Sequence, residues 1–348
     1  MRVLLTGNRG YIGTVMAPML ISEGHEVTGL DTDFYDGCTF GNAPVAIPTI
    51  NKDIRDVTRD DLKGFHAIIH LAALSNDPLG NLNPALTFDI NHHATVKLAK
   101  LAKEAGVQRF LFSSSCSNYG AAGDKMLTEE ADFNPVTPYG ESKVLAEKGL
   151  RELADDQFSP TYLRSTTAYG ISPRHRFDIV LNNLVAWAFT TGLIFLKSDG
   201  SPWRPIVHIE DITRAFIAVL QAPREVVHDQ AFNVGITSEN YQIRDLAEIV
   251  HEVVPDCRVE FAEDAGPDKR SYRVDFTKIH QMLPSFKPQW NAREGARQLY
   301  EAYRKTGLKL EEFEGPRYRR IDCIQNRLAN HQLDSTLRWQ QDHPSIQA

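Results

Sequence analysis

Short apolar runs alternate with helical patterns through the first two-thirds of the chain, and this alternation is the feature that most limits the fold. The strand-like runs are too apolar to have a wet face, so helices must cover both sides of the sheet that they form. Crossover connections of this kind are right-handed and join parallel strands. The pattern therefore predicts an α/β fold with a Rossmann-like, doubly wound parallel sheet. The segments that carry it are residues 3–6, 12–23, 25–30, 67–71, 87–104 and 109–113.

Beyond about Pro173 the alternation loosens and proline and glycine become frequent, which indicates a second, smaller lobe. Residues 231–235 resemble a strand that follows a helical stretch, so we expect the chain to return once to the first sheet. Residues 243–254 form an amphipathic pattern and predict a helix of the second lobe. The expected units are a domain of residues 1–172 and 209–237, an α/β lobe of residues 173–208 and 238–312, and a C-terminal extension of residues 313–348.

Composition excludes several classes of protein. The 348 residues carry a net charge of -7 without a Lys/Arg block of the kind that follows a phosphate backbone, so nucleic acid is not an expected partner. Apolar runs stay shorter than the roughly 20 residues that span a bilayer, and the first residues lack a signal-peptide pattern, so we expect no membrane association and a cytoplasmic location. The four cysteines show no CxxC pair, which favours free thiols and no metal site.

A strand, a glycine turn and a helix start follow one another at the beginning of the chain. Gly7 would allow the tight turn, Gly10 the close approach of a pyrophosphate to backbone N–H groups, and Gly13 the packing of helix on strand. Asp31 ends the next strand, where it can accept hydrogen bonds from ribose hydroxyls. This favours NAD, because a carboxylate repels a 2′-phosphate. Arg9 could instead pair with such a phosphate, which leaves NADP possible.

Three further segments carry groups suited to proton transfer. Tyr139 and Lys143 are four residues apart at the start of a predicted helix and share one face. An ammonium beside a phenol stabilises the phenolate, so we expect Lys143 to lower the pKa of Tyr139 towards that of a general base. Ser115 at a strand end would hold an alcohol or carbonyl oxygen in line, and Asn91 lies in the preceding helix. The set predicts oxidation or reduction of a hydroxyl with Ser115, Tyr139 and Lys143 as catalytic groups.

These ordered motifs resemble the extended short-chain dehydrogenase/reductases, and specifically their NAD-dependent nucleotide-sugar epimerase and dehydratase group with its UDP-glucose 4-epimerase-like members. The resemblance runs from Met1 to about Trp290. It implies that the lysine matching Lys143 also holds the nicotinamide ribose and that relatives place the residue pair matching Asp53 and Ile54 beside the adenine. The full set of implied cofactor residues is Gly7, Arg9, Gly10, Tyr11, Ile12, Gly13, Asp31, Asp53, Ile54, Leu71, Ala72, Ala73, Asn91, Tyr139 and Lys143.

The resemblance also implies a nucleoside-diphosphate sugar as substrate. Arg204 and Arg270 would contact the nucleotide or diphosphate, which suits the bidentate geometry of guanidinium groups on phosphate oxygens. Asn183 is a candidate amide partner, and Ser75 lies where relatives touch the sugar. Thr167 stands where relatives commonly have asparagine, so the pocket differs there from the family pattern.

The residues after Ser115 help to choose among reactions. Relatives that eliminate water carry an Asp-Glu pair at the positions of Cys116 and Ser117, and decarboxylases keep the glutamate. Small neutral residues at these positions are typical of 4-epimerases, in which a transient keto sugar takes its hydride back on the other face. The leading hypothesis is therefore an NAD-dependent epimerase that acts at C4. The alternatives are an NAD(P)H-dependent 4-keto-sugar reductase, a 4,6-dehydratase, an epimerase that uses Cys116 as acid and base, and a dinucleotide-sensing binding protein.

Two expectations concern assembly. Many relatives form homodimers through the helices that carry Tyr139 and Asn91, so the resemblance implies a homodimer. The segment 313–339 lies beyond the usual end of the family, and a helix that packs against the body or against a partner subunit is expected there.

Overall fold

A computed structural model describes residues 1–120, 125–266 and 271–340. Its strands are β1 (Arg2–Thr6), β2 (Glu26–Asp31), β3 (Thr49–Asn51), β4 (Ala67–His70), β5 (Arg109–Ser115), β6 (Met126–Leu127), β7 (Ser159–Ser165), β8 (Thr167–Tyr169), β9 (Leu193–Ser198), β10 (Trp203–His208), β11 (Gln230–Val234), β12 (Asn240–Gln242), β13 (Arg258–Gly266) and β14 (Arg273–Val274). Its helices are α1 (Gly13–Ser22), α2 (Asp77–Leu82), α3 (Pro84–Phe88), α4 (Ala94–Glu104), α5 (Pro138–Arg151), α6 (Val180–Thr191), α7 (Ile209–Gln221), α8 (Arg224–Val227), α9 (Ile243–Val253), α10 (Thr277–Met282), α11 (Ala292–Thr306), α12 (Leu310–Phe313) and α13 (Arg320–Ala329).

Seven strands form the large sheet in the order β11-β7-β5-β4-β1-β2-β3, and every neighbouring pair is parallel. The strand β4 is buried along its whole length, because helices cover both faces. The predicted Rossmann-like, doubly wound sheet is confirmed. The strand β11 lies beside β7, as the expected return of the chain requires. The strand predicted at residues 109–113 runs on to Ser115, so that serine is the last residue of β5.

After β7 the chain leaves the large sheet and enters a separate three-stranded sheet. The middle strand β10 pairs in parallel with β8 and antiparallel with β12. The expected boundary at residue 172 stays a prediction. Helices α6, α9 and α11 pack around one apolar cluster of the second lobe. The two lobes therefore meet at the carboxyl ends of the large sheet's strands. No helix in the parts of the chain described above is long and apolar enough to cross a membrane.

The C-terminal extension packs against the body of the same chain. Ile324 of α13 and the following Leu333 and Leu337 are buried in the core cluster on one face of the large sheet. The indole Nε1 of Trp339 donates to the carbonyl of Thr32 at 2.6 Å. The segment thus completes the core beside β2. This is the expected arrangement in which the extension packs against the body of the chain.

One buried ion pair joins α5 to the large sheet. The Arg164 guanidinium on β7 donates to both carboxylate oxygens of Glu147 on α5, at 2.7 and 3.0 Å, and both side chains are less than 5% exposed. Ser114 and Asn118 also donate to this carboxylate. The carboxylate therefore fixes the side of α5 that faces the end of β5.

We expect Glu147→Gln to lower the free energy of unfolding by about 3–5 kcal/mol, because it leaves the Arg164 cation buried without its counter-ion. Urea unfolding of the ligand-free protein measures this loss. Glu152→Gln, at the exposed residue that follows α5, is the control and should change stability by less than about 0.5 kcal/mol. Equal small losses in both variants would contradict the role of the pair.

Candidate active site

A cavity of about 820 Å³ lies between the carboxyl ends of the large sheet and the second lobe. In open α/β sheets ligands bind at this edge, where the strand order reverses. The cavity wall includes the glycine turn after β1, the end of β5, the start of α5 and residues of β8 and β10. The predicted cofactor and substrate segments therefore face one shared space.

The glycine turn shapes one end of the cavity. Gly7 has φ +74°, and a Cβ there would lie 2.8 Å from the backbone nitrogen of Ala72, so a side chain is excluded. Gly10 faces the cavity, and a Cβ on it would take up space beside the amino end of α1. This bare backbone in front of a helix N-terminus suits a phosphate group.

Acidic groups follow at the end of β2. The Asp31 carboxylate accepts hydrogen bonds from the backbone N–H groups of Arg9, at 2.9 Å, and Asp33, at 2.8 Å, and it lines the cavity. The Arg9 guanidinium lies 3.6 Å from the Asp33 carboxylate. The arginine that could have received a 2′-phosphate is thus paired with an acid, and a second acid lies beside it. These residues fit NAD, whose ribose offers hydroxyls here, and oppose NADP.

Most of the remaining predicted cofactor residues line the cavity. They are Tyr11, Ile12, Asp53, Ile54 and the segment 71–73. The Tyr11 hydroxyl, however, points into the second lobe and donates to the carbonyl of Gly170 at 2.7 Å. The Asp53 carboxylate accepts from the Arg55 guanidinium at 2.7 Å and from the Arg55 backbone N–H at 2.8 Å. Tyr11 and Ile12 can therefore offer backbone to a dinucleotide, and Asp53 is held rigidly at the cavity edge.

Asn91 is not among the residues that line the cavity, and its role beside the cofactor stays a prediction. Its side chain is 1% exposed, with Oδ1 accepting from the backbone N–H of Leu74 at 2.8 Å and Nδ2 donating to the carbonyl of Leu74 and to Ser142. The helix predicted over residues 87–104 is interrupted here by a π-helical turn, Asp89–His93. Such turns are frequent near functional sites. Asn91 is a positioning residue that joins the segment after β4 to α5.

The structure brings Ser115, Tyr139 and Lys143 together. The helix α5 starts at Pro138, capped by Thr137, whose Oγ1 accepts from the N–H of Gly140 at 3.2 Å. Tyr139 and Lys143 then lie on one face of α5, towards the end of β5. Ser115 and Tyr139 line the cavity together, and Ser115 is close enough to the Tyr139 hydroxyl to favour its phenolate. The Lys143 ammonium donates to the Ser113 carbonyl at 2.7 Å and lies 5.9 Å from the centre of the Tyr139 ring.

Burial is the main cause of the pKa shifts of Tyr139 and Lys143. It raises the pKa of Tyr139, with the neighbouring Ser115 and the Arg176 charge acting in the opposite direction. It lowers the pKa of Lys143 to about 7, because the ammonium is almost fully enclosed. The expected lowering of the Tyr139 pKa by Lys143 is therefore not found in the ligand-free chain. The physical reason is that desolvation of a buried phenolate outweighs the neighbouring charges.

The predicted substrate residues Ser75, Thr167, Asn183 and Arg204 line the same cavity, and Arg270 lies outside the described residues. Asn183 uses its Nδ2 to donate to the carbonyl of Phe177 at 2.9 Å, which leaves its oxygen for other contacts.

Sequence reasoning missed two side chains of the cavity wall. Arg176 is 14% exposed and paired with Asp178 at 2.7 Å. Tyr272 is buried and lines the cavity. Its place two residues after the predicted substrate residue Arg270 was the signal that could have revealed it.

Cys116 is excluded from the reacting space. The thiol is fully buried in the core, donates to the Arg164 carbonyl at 3.1 Å, and has its pKa raised by burial. Its neighbour Ser117 lines the cavity instead. The alternative in which Cys116 acts as acid and base is therefore wrong.

The lowered pKa of Lys143 makes a prediction about stability. Between pH values of about 7 and 10.5, Lys143 is protonated in the unfolded chain and mostly deprotonated in the folded chain. The free energy of unfolding therefore rises with pH over that interval. We expect the free energy of unfolding of the wild type, relative to Lys143→Met, to rise by up to about 1.4 kcal/mol per pH unit above pH 7. Urea unfolding of ligand-free protein at several pH values measures it. Lys148→Met, at an exposed position of the same helix, should show no such slope.

Comparisons with known proteins agree with this geometry. Residues 3–235 match the family described as NAD dependent epimerase/dehydratase. The UDP-glucose 4-epimerase of Mycolicibacterium smegmatis is 30% identical over 324 residues, which cover 87% of this chain and 99% of that protein. The UDP-glucose 4-epimerase of Lactobacillus helveticus is 29% identical over 306 residues, covering 81% of this chain and 91% of that protein. Among solved structures, MoeE5 in complex with UDP-glucuronic acid and NAD has a TM-score of 0.76 at 25% identity, covering 88% of this chain and all of that one. The chain belongs to the NAD dependent epimerase/dehydratase family.

Proposed function

We propose that this protein is an NAD-dependent epimerase that inverts C4 of a nucleoside-diphosphate sugar, through a transient 4-keto intermediate. The observation that carries the proposal is the group formed by Ser115, Tyr139 and Lys143, which faces a cavity together with the glycine turn. The names of the relatives from Mycolicibacterium smegmatis and Lactobacillus helveticus support the same reaction and make UDP-glucose the first substrate to test.

Tyr139 is the general base and, on return, the general acid. It takes the proton of the C4 hydroxyl while Ser115, beside it on the cavity wall, holds the C4 oxygen in line. When bound, NAD would supply the acceptor for the hydride of C4 and the source from which that hydride returns. Burial raises the pKa of Tyr139, and positive charges near the phenol offset part of that rise; Arg176 carries one, and Lys143 with its pKa of about 7 can carry another near neutral pH.

The epimerase needs a substrate that turns while it stays bound. Arg204 on the wall of the second lobe would hold the diphosphate, together with Arg270, and the sugar would rotate about its link to the diphosphate. The hydride then returns to the opposite face of C4. The diphosphate end of the substrate thus stays bound while the sugar end remains able to turn.

The residues after Ser115 argue against elimination of water. A 4,6-dehydratase needs an acid and a base beside the keto sugar. Here Cys116 is turned into the core, and Ser117 offers only a neutral hydroxyl to the cavity. A 4-keto-sugar reductase would use the same Ser115, Tyr139 and Lys143, and it differs from the epimerase by consuming reduced cofactor.

We expect Tyr139→Phe to lower the rate of interconversion of UDP-glucose and UDP-galactose by about 100-fold or more, since it removes the group that moves the proton. NAD content and thermal stability should stay close to those of the wild type. Tyr300→Phe, which removes a hydroxyl on α11 away from the cavity, is the matched control. Activity of Tyr139→Phe above about a tenth of wild type would remove Tyr139 from this role.

The same assay separates the alternatives. An epimerase converts the sugar without net change in NADH, and the purified protein should release close to one NAD per chain on denaturation. Net oxidation of added NADPH with a 4-keto sugar would instead establish the reductase. Binding of dinucleotide without conversion of any nucleotide sugar would favour the sensing protein.

We further propose a cytoplasmic homodimer, formed through α4 and α5. These helices pack closely side by side, and a Cβ at Gly149 would lie 2.6 Å from Val96. Two copies of this helix pair would give a four-helix contact. Sedimentation should show twice the 39.2 kDa mass, and a monomer at micromolar concentration would exclude it.

A further inference from the structure

The C-terminal extension sends one charged side chain into the cavity. Arg320, the first residue of α13, lines the cavity wall and is 9% exposed. The centre of its guanidinium lies 4.3 Å from the centre of the Tyr35 ring, on the loop after β2. A segment outside the matched family region therefore takes part in the wall of the site.

Among the described residues, this cation has no carboxylate within ion-pairing distance. Within the described ranges, its guanidinium makes neither a close ion pair nor a hydrogen bond, whereas Arg9, Arg174 and Arg176 each face a carboxylate at 3.6 Å or less. Burial of such a guanidinium is costly, because the charge loses its hydration and gains only the ring of Tyr35 and the more distant charge of Asp178, which Arg176 already pairs. An anionic group of a ligand bound next to Arg320 would offset this desolvation cost.

The neighbours of Arg320 indicate which anion would meet it. Tyr35 follows Asp31, at the predicted adenosine end of the cavity. On the other side, Arg320 lies close enough to the Tyr11 hydroxyl and to the Arg176–Asp178 pair, all on the second-lobe side, for their charges to interact. Arg320 thus lies between the adenosine end and the second-lobe wall, across the cavity from the glycine turn, where the diphosphate of a dinucleotide would pass.

We propose that Arg320 binds the diphosphate of NAD, so that the C-terminal extension forms the wall of the dinucleotide site opposite the glycine turn. The inference rests on NAD binding within the proposed function and does not depend on the epimerase reaction. Arg320 has no role in proton or hydride transfer; it adds a charge-assisted contact from the C-terminal extension.

The position of Arg320 is fixed from within the extension. Ile324, one turn further along α13, is fully buried. Arg327 donates to the carbonyl of Asp36 at 2.7 Å, and the Sγ atoms of Cys323 and Cys38 are 3.6 Å apart. These contacts hold α13 against the loop after β2. The guanidinium is therefore placed before a ligand arrives, which lowers the entropy lost on binding.

The test compares Arg320→Met with Arg319→Met in protein freed of nucleotide. Methionine keeps an apolar stem beside Tyr35 and removes the charge, and Arg319 is a neighbouring arginine whose side chain is 47% exposed and paired with Asp322. Titration calorimetry should show NAD bound about 10–100-fold more weakly by Arg320→Met, in line with loss of a charge-assisted contact. Arg319→Met should stay within about twofold of the wild type.

Three probes separate the sources of the phosphate. Arg320→Met should weaken NAD and ADP-ribose alike and leave adenosine, which has no phosphate, and UDP unchanged. Weaker UDP binding with unchanged NAD would assign Arg320 to the substrate diphosphate and overturn the proposal. Unchanged binding of all probes would overturn it as well.

Stability of the ligand-free protein distinguishes binding from a structural role. Removal of a buried charge without a close counter-ion should leave the melting temperature of Arg320→Met equal to or above that of the wild type. A lower melting temperature with unchanged NAD affinity would show a structural contact and overturn the proposal. If Arg320→Met does not fold, Arg320→Lys decides: it keeps the charge without the bidentate fork and should bind NAD with intermediate affinity, and unchanged affinity would count against the proposal. Wild-type protein that binds NAD yet converts no sugar nucleotide would refute the proposed function alone.

Discussion

The desolvated face of α5 is the constraint on which the rest of the site depends. Tyr139, Lys143 and Glu147 recur every four residues on one side of this helix and press against the end of β5. Glu147 is satisfied by Arg164, and Lys143 donates to the Ser113 carbonyl. The ion pair of Glu147 with Arg164 fixes the helix, so the phenol of Tyr139, about two turns earlier, is held beside the end of β5.

The two ends of the cavity use opposite electrostatics. Around the predicted adenosine, the carboxylates of Asp31 and Asp33 select for hydroxyl groups, and Arg9 is bound to one of these acids. Around the predicted diphosphate, backbone N–H groups and guanidinium groups favour negative charge. This polarity gives a dinucleotide only one orientation, with its nicotinamide end towards Tyr139.

Sequence patterns could predict the sheet, the glycine turn and the three catalytic groups, because each depends on local spacing. The hydrogen bonds of Asn91 to the backbone of Leu74 could not be predicted, because this residue lies in a π-helical turn and such turns leave no simple periodicity. The direction of the Tyr139 pKa shift depends on burial, which spacing does not report. Arg176 and Arg320 come from loops and an extension distant in the sequence, and only the folded chain brings them to one wall.

The extension also links the site to the order in which the chain is made. Every strand of the large sheet and the whole glycine turn leave the ribosome before residue 320. The sheet can thus form while its dinucleotide wall is still unfinished, and domains do fold in this vectorial way during synthesis. Arg338 donates to Asp56 across 282 residues of sequence, so the extension contacts the turn that follows β3. Tight retention of a dinucleotide would in that case begin only with a finished chain, and a nascent or C-terminally clipped one would release it.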